Sequence, residues 1–226
     1  MDAHPLDNPV WSSLSTLHRD LALGDGDPLR YPAEVAPFLA TAGDAPLSPQ
    51  GLARLLGDDE EVYLLGPRPA APPGHRVAEL GVIHQMVCEA KLPESSGPAI
   101  VPLTEEHRPA VLALTALVYP HYFRPRTMAL GRYFGVFEGG RLAAMIGERM
   151  GMPGFREISA VCTHPDLVGR GLARHLLAFL GNDLFARGST PFLHVSPANL
   201  RALRLYEQNG YRTRLLVPFW SLRRDG

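Results

Sequence analysis

The sequence is poor in cysteine and has no long hydrophobic run. Its two cysteines, Cys88 and Cys162, match no metal-ligand or redox spacing, so we predict that both are reduced and that the chain binds no metal. No apolar run approaches the roughly 20 residues that cross a bilayer. Residues 1–9 also lack the basic and apolar regions of a signal peptide. We therefore expect a cytoplasmic protein without a membrane partner.

A strong net charge is also missing, although the two halves of the chain differ in sign. Residues 1–95 carry 14 acidic and 6 basic residues, whereas residues 96–226 carry 9 and 16. The basic half suits an anionic ligand. Nucleic acid is one such ligand, but no helix gathers its cations on one stripe, and a phosphorylated cofactor explains the charge equally well. We rank nucleic-acid binding last and expect no nucleic-acid partner.

The 226 residues, 46% of them hydrophobic, predict a globular chain with a smaller N-terminal lobe at 1–95 and a second domain at 96–226. In the lobe, Pro9 and Pro49 each begin a predicted helix, and residues 61–65 and 76–88 are extended. The apolar face of the first helix is Val10, Trp11, Leu14 and Leu17. Residues 89–98 have the composition of a linker, which places the boundary there.

The second domain shows the order β-α-β-β-β-α-β-α-β, which predicts an α/β fold with a mixed sheet. Thr104 caps its first helix, whose apolar face is Val111, Leu114 and Val118. A three-stranded meander follows at 133–137, 142–149 and 155–163. The long helix at 169–187 repeats Leu172, Leu176, Leu180 and Leu184 along one face. The remaining elements are a strand at 192–195, a helix at 199–208 and a strand at 211–222.

The turn into the long helix carries the clearest chemical signal. It reads Leu167-Val168-Gly169-Arg170-Gly171-Leu172-Ala173. The first turn of a helix has unpaired N–H groups and a partial positive charge, and it stabilises an anion placed there. The two glycines permit close approach, and Arg170 could meet a phosphate from the side. Taken alone, the same glycines would only begin a helix.

Together with Asn199 and the run Leu205-Tyr206-Glu207-Gln208-Asn209-Gly210, this turn resembles motifs A and B of the Gcn5-related N-acetyltransferase (GNAT) superfamily. The similarity is to its FR47-like subgroup and covers about residues 100–214. Leu167 stands where the family usually has Arg or Gln. The resemblance implies a GNAT fold in the C-terminal half, acetyl-CoA or another short acyl-CoA as co-substrate, and no metal. The N-terminal lobe resembles the divergent lobe of some members, and we assign it no cofactor.

The resemblance also implies cofactor contacts for ten residues. They are Val161, Thr163, Val168, Gly169, Arg170, Gly171, Leu172, Ala173, Asn199 and Tyr206. Val161 and Thr163 would bind the pantetheine arm as an added strand, the glycine turn would hold the pyrophosphate, and Asn199 would bond the arm. An amide near Val161 would stabilise the oxyanion, which requires the strand to splay there.

Two side chains are candidates for catalysis. The phenol of Tyr206 stays protonated at neutral pH and could donate to the departing thiolate. Glu157 could accept the proton of the amine, directly or through a water, but it could also pair with Arg149 or Arg156, or simply be solvated. We interpret Cys162 and His164 as structural, because Cys162 lacks a nearby activating base and His164 stands where a turn cap is common.

These observations predict an N-acetyltransferase that moves an acetyl or short acyl group from acyl-CoA to a primary amine in a ternary complex. A non-catalytic acyl-CoA-binding module is the alternative. The acceptor could be a small molecule or a protein terminus. Residues after the first helix of the domain are candidate acceptor contacts, although packing on the core is the alternative for them: Tyr119, His121, Tyr122, Phe123 and Arg124.

Overall fold

The computed structural model describes residues 4–43 and 47–225. Their helices are α1 (Pro9–Leu14), α2 (Pro49–Leu55), α3 (Arg108–Val118), α4 (Leu172–Ala186) and α5 (Leu200–Gln208). Their strands are β1 (Leu29–Arg30), β2 (Leu39–Ala40), β3 (Val62–Leu65), β4 (His75–Val87), β5 (Val101–Leu103), β6 (Tyr133–Glu138), β7 (Arg141–Met152), β8 (Phe155–Thr163), β9 (Thr190–Val195) and β10 (Arg212–Arg224).

Eight strands form one mixed sheet in the order β3-β10-β4-β9-β8-β7-β6-β5. Only β8 and β9 pair in parallel. The predicted mixed α/β architecture is confirmed. The sheet is continuous across residue 95, because β4 pairs with both β9 and β10. The division into parts at 1–95 and 96–226 stays a prediction.

The meander predicted in the second half is β6, β7 and β8, paired in antiparallel order. Gly139 and Gly140 connect the first two strands with φ values of 55° and 77°. Positive φ at both central positions is the signature of a type I′ hairpin turn, which follows the right-handed twist of its strands. The sequence Glu-Gly-Gly-Arg therefore fixes this connection locally.

One sheet face is covered by α4 and α5. All four leucines of the predicted stripe, Leu172, Leu176, Leu180 and Leu184, are buried in its core. The start predicted for this helix was wrong by three residues: α4 begins at Leu172 because Gly169 and Gly171 both have left-handed backbone conformations. A left-handed residue cannot belong to a right-handed helix.

The opposite face is covered by α3 and by the segment before β3. Val10 and Leu14 of α1 pack there against β7, β8 and β9, within the same cluster as Met150 and Phe192. Two predicted face positions were wrong. Leu17 lies beyond the end of α1 and is 53% exposed. Val118, in the last turn of α3, is 38% exposed, and Thr115 takes the buried position instead.

Cys88 and Cys162 are both free thiols and both are buried. Within residues 4–43 and 47–225, no three His, Cys, Asp or Glu side chains are grouped so that they could hold a metal ion. None of the helices in these ranges has the length and apolar character needed to cross a bilayer.

Candidate active site

Strands β8 and β9 part in the middle of the sheet. They pair from Phe155 opposite Thr190 only as far as Glu157 opposite Phe192. Beyond Glu157, β8 carries a bulge, where Ala160 has a φ of 50°, an unusual value for a residue with a side chain. The backbone near Val161 therefore leaves the regular ladder. The splay that an oxyanion contact at Val161 requires is present.

A cavity of about 720 Å³ lies beside this gap, between β8, α4 and α5. Of the ten residues assigned to the cofactor, all except Arg170 line it. Leu167, which departs from the family pattern, lines it as well. The Arg170 guanidinium instead forms an exposed ion pair with Glu138, with Nη1 and Oε2 2.6 Å apart.

The glycine turn leaves open space at the start of α4. Gly169 and Gly171 have φ values of 87° and 78°, and a Cβ on either would meet no atom within 4 Å. The first intrahelical bond at this end runs from His175 to the carbonyl of Gly171, so the amides before His175 have no partner in the helix. Leu172 and Ala173 of this first turn face the cavity. The arrangement fits an anionic group such as a pyrophosphate.

The far wall of the cavity is the beginning of α5. The Asn199 side chain caps this helix, since its Oδ1 accepts the Ala202 N–H at 3.1 Å, and only its NH₂ group is left to reach a ligand. Tyr206 is 8% exposed and lies about two turns further along the helix. Burial, with smaller contributions from neighbouring Cys162 and Tyr119, raises the pKa of Tyr206 well above its ordinary value. The phenol is therefore a proton donor at neutral pH.

Glu157 lies at the point where β8 and β9 part, and it is fully buried. Arg149 donates to both of its oxygens, at 2.8 and 2.6 Å, and the Met150 amide and His194 Nδ1 add bonds at 3.2 and 2.8 Å. Burial alone would raise the pKa of Glu157, but the charge and hydrogen bonds of Arg149, with help from His194, lower it to about 2. The structure thus contains the Glu157–Arg149 pair, which was one of the alternatives that the sequence left open.

The neighbours of His194 determine its tautomer. Gln85 accepts a hydrogen bond from Arg214 at Oε1 and donates to the Leu6 carbonyl through Nε2, which fixes the orientation of its amide. The same Nε2 lies 3.2 Å from His194 Nε2, so the histidine nitrogen must accept there. His194 consequently donates from Nδ1 to Glu157. The ring is held between these two partners.

A second cavity, of about 460 Å³, lies on the other side of the strand gap. Tyr119, Tyr122, Arg149 and His194 line it. The two cavities lie close together, because Val118 lines the first and the next residue in the chain, Tyr119, lines the second.

Of the five candidate acceptor residues, only Tyr119 and Tyr122 face this second cavity. Phe123 packs edge-on against Tyr133 in the core, with ring centroids 5.9 Å apart. His121 and Arg124 are not part of the lining.

Cys162 and His164 have the environments of structural residues. Burial raises the pKa of the Cys162 thiol to about 12, so little of it is the nucleophilic thiolate near neutral pH. His164 Nδ1 accepts the Asp166 N–H at 3.3 Å and caps the turn before the glycines. Neither residue lines the two cavities.

A mixed sheet whose one parallel pair splays beside a glycine-containing helix start matches the fold that the GNAT resemblance implies. Residues 133–221 match the FR47-like protein family. A structure described as a GNAT-family acetyltransferase, from Novosphingobium aromaticivorans, is 38% identical over 99% of this chain and 100% of its own, with a TM-score of 0.88. The chain therefore belongs to the GNAT family, and it is an acyl-CoA N-acyltransferase.

Other solved structures share the fold at lower identity. A GCN5-related N-acetyltransferase from Kribbella flavida is 18% identical, with a TM-score of 0.61 over 96% of this chain and 94% of its own. A GCN5-related N-acetyltransferase-like protein from Streptococcus suis is 16% identical, with a TM-score of 0.58 over 95% and 94%. No curated protein sequence matches the chain significantly.

Several residues of the second cavity were missed by sequence reasoning. Phe38 and Phe219 come from distant parts of the chain and carry no local motif. His194 did offer a signal, because it is the single polar residue in the apolar run Phe192-Leu193-His194-Val195. Its alternation with Leu193 places it on the face opposite α4 and α5.

Proposed function

We propose that this enzyme moves an acetyl group from acetyl-CoA, or a short acyl group from a related thioester, to a primary amine by direct attack within a ternary complex. The observation that carries the proposal is that two cavities lie next to each other, since Val118 lines one and the following residue, Tyr119, lines the other. One has a helix start suited to an anion, and the other is lined by side chains. A co-substrate and an acceptor could thus bind in neighbouring cavities.

The contacts proposed for acetyl-CoA follow the lining of the larger cavity. Backbone groups of Val161 and Thr163 would hold the pantetheine arm beside β8, and Asn199 would reach it from α5. The turn from Val168 to Ala173 would bind the pyrophosphate through its amides. Leu167 cannot supply a side-chain hydrogen bond, so those amides are the main phosphate donors.

Tyr206 is the proposed general acid. Its phenol is protonated at neutral pH already at its ordinary pKa, and Tyr206 lines the cavity that would hold the thioester. As the amine nitrogen forms its bond to the acyl carbon and the carbon–sulfur bond breaks, Tyr206 would donate its proton to the sulfur. The proton that the amine nitrogen loses would return to the Tyr206 phenolate, directly or through water, so the products would be an amide and a free thiol.

Glu157 has two proposed roles that experiment can separate. As a general base it would have to give up one of its four hydrogen bonds before it could receive a proton from the amine. As an anchor it would hold Arg149 and His194 in the wall of the second cavity. Its pKa of about 2 favours the anchor, because a strongly stabilised carboxylate is a weak base.

The first test is calorimetric titration with acetyl-CoA and with CoA, comparing the native chain with one carrying bulky replacements at Gly169 and Gly171. Saturable binding by the native chain and its loss in the variant are the expected results. Thiol release with a panel of amines then tests transfer. Binding without thiol release from any amine would favour a non-catalytic acyl-CoA-binding module, and no binding by folded protein would overturn the proposal.

If Tyr206→Phe and Glu157→Gln both leave turnover intact while acetyl-CoA still binds, the catalytic roles proposed for these residues are wrong. The transferase assignment would stand in that case, with other groups carrying the proton transfers.

A further inference from the structure

The wall of the second cavity is dominated by aromatic and aliphatic side chains. Phe38, Tyr119, Tyr122 and Phe219 supply its aromatic part. Tyr122 is central to this group: its ring centroid lies 6.5 Å from that of Phe38, 5.5 Å from Tyr119 and 6.3 Å from Phe219. A ligand in this cavity would therefore bury mostly apolar surface. The volume of about 460 Å³ is in the range of small-molecule sites.

Charge in the cavity is already balanced. Among the described residues that line it, Arg149 is the only Asp, Glu, Lys or Arg. Its charge is neutralised by Glu157, 2.6 Å away, and its guanidinium carbon also lies 5.1 Å from the centroid of Phe38. This leaves no carboxylate in the described lining to receive an ammonium group, and Arg149 already contacts one aromatic ring.

An amine that enters such a site is favoured in its neutral form. Burial away from water disfavours the charged form of an amine and lowers its pKa. The neutral amine is the form with a nucleophilic lone pair. A second or third ammonium group on the same molecule would be desolvated without a partner, which is costly.

We infer that the acceptor is a monoamine whose single amino group is carried on an aromatic or branched aliphatic body, and that polycationic amines are excluded. This inference rests on the proposed function, because it names the acceptor class of the same site. Specificity for the acceptor then comes from the apolar wall of the cavity, and not from a carboxylate that pairs with the ammonium group.

The test compares 2-phenylethylamine and 3-methylbutylamine with spermidine, using thiol release from acetyl-CoA. For the native enzyme we expect kcat/KM of each apolar monoamine to exceed that of spermidine by roughly tenfold or more, a ratio within the reach of pocket specificity. Equal or faster transfer to spermidine would overturn the inference and leave the proposed function intact.

A charge placed in the wall gives an independent test. Val82 lines the cavity and is 40% exposed, so Val82→Glu should fold and should add the carboxylate that the wall lacks. The preference for monoamines should then fall by roughly tenfold. Leu216→Glu is the matched control, because Leu216 is 49% exposed on β10 and does not line the cavity. An unchanged preference in Val82→Glu would contradict the inference.

Calorimetric titration of the CoA-loaded protein with 2-phenylethylamine tests the acceptor class separately from the transfer reaction. Binding that Val82→Glu weakens and Leu216→Glu does not, without thiol release, would support the acceptor class and overturn transfer. If the CoA-loaded protein binds neither 2-phenylethylamine nor 3-methylbutylamine, and neither amine releases thiol from acetyl-CoA, both are wrong.

Discussion

The two cavities beside the strand gap are built in different ways. The larger one is lined mostly by two continuous stretches, from the end of β8 to the start of α4 and along α5, and its proposed phosphate donors are backbone amides. The smaller one is lined by residues of β3, β4, β7, β9 and β10, by Phe38 before β2, and by residues that follow α3 and β9. A site made from backbone tolerates changes of side chain, whereas a site made from converging side chains can change its specificity with single substitutions. We expect the first to serve the shared co-substrate and the second to serve the acceptor.

The largest effect should come from breaking the ion pair beneath the smaller cavity. Glu157→Gln removes one charge of a buried pair, and loss of one partner of such a pair costs about 3–5 kcal/mol in the free energy of unfolding. Urea denaturation at pH 7 measures this. The control is Glu138→Gln, whose exposed pair with Arg170 should contribute less than about 1 kcal/mol.

The same variant has a defined pH dependence. The pKa of Glu157 is lowered to about 2 in the folded protein, so its carboxylate stabilises the fold fully above the ordinary carboxyl pKa. That contribution is lost as the pH falls towards 2. The difference in unfolding free energy between the native chain and Glu157→Gln should therefore shrink from pH 7 to pH 3. A difference that is constant over this range would contradict the assigned pairing.

Tyr206→Phe should have the next largest effect, on the rate of transfer alone. Loss of a general acid typically costs about 100-fold in kcat, and the dissociation constant of acetyl-CoA should stay within about twofold because the ring remains. Tyr211→Phe is a close control: Tyr211 is also buried, its ring lies 5.9 Å from that of Tyr206, and its hydroxyl has no hydrogen-bond partner in the described structure. Equal losses in both variants would show that Tyr206 has no special role.

Gly171→Ala tests whether the backbone forms the larger cavity. Alanine in a left-handed conformation costs about 1–2 kcal/mol, and its methyl group would stand in the open space at the start of α4. Gly188 has a similar φ of 73° beyond the end of the same helix and equally open surroundings. Gly188→Ala should therefore lose similar stability by thermal unfolding. Only Gly171→Ala should weaken acetyl-CoA binding in calorimetry, by roughly tenfold.

The smallest effect is expected at Arg170. Its side chain pairs with Glu138 outside the cavity lining, so any contact with a phosphate would be exposed and screened. Arg170→Ala should raise the dissociation constant of CoA by about two- to fivefold in titrations at low salt. Arg187→Ala, at the far end of α4, should leave it unchanged. A loss of 100-fold at Arg170 would mean that side chains, and not amides, hold the pyrophosphate.

Much of the fold could be predicted because its signals are local. The stripe Leu172, Leu176, Leu180 and Leu184 predicted α4, and the two glycines at 139 and 140 predicted the β6–β7 hairpin. Boundaries were less accurate. The left-handed glycines delayed the start of α4, and Leu17 followed a helical spacing beyond the point where α1 ends. Periodicity reports which residues could share a face, but not where the helix stops.

The sequence by itself determined the elements of the larger cavity, because the strand, turn and helix start are consecutive and their chemistry is that of the backbone. Only the tertiary structure decided the smaller cavity. Phe38, Arg149 and Phe219 are far apart in the chain. They meet because β10 and β7 belong to one sheet and Phe38 forms a bridge with Tyr63 on its edge strand β3. The tertiary structure also decided whether Glu157 is solvated or ion-paired, since a carboxylate on a strand can be either. In the folded protein it pairs with the Arg149 guanidinium, which comes from the neighbouring strand β7.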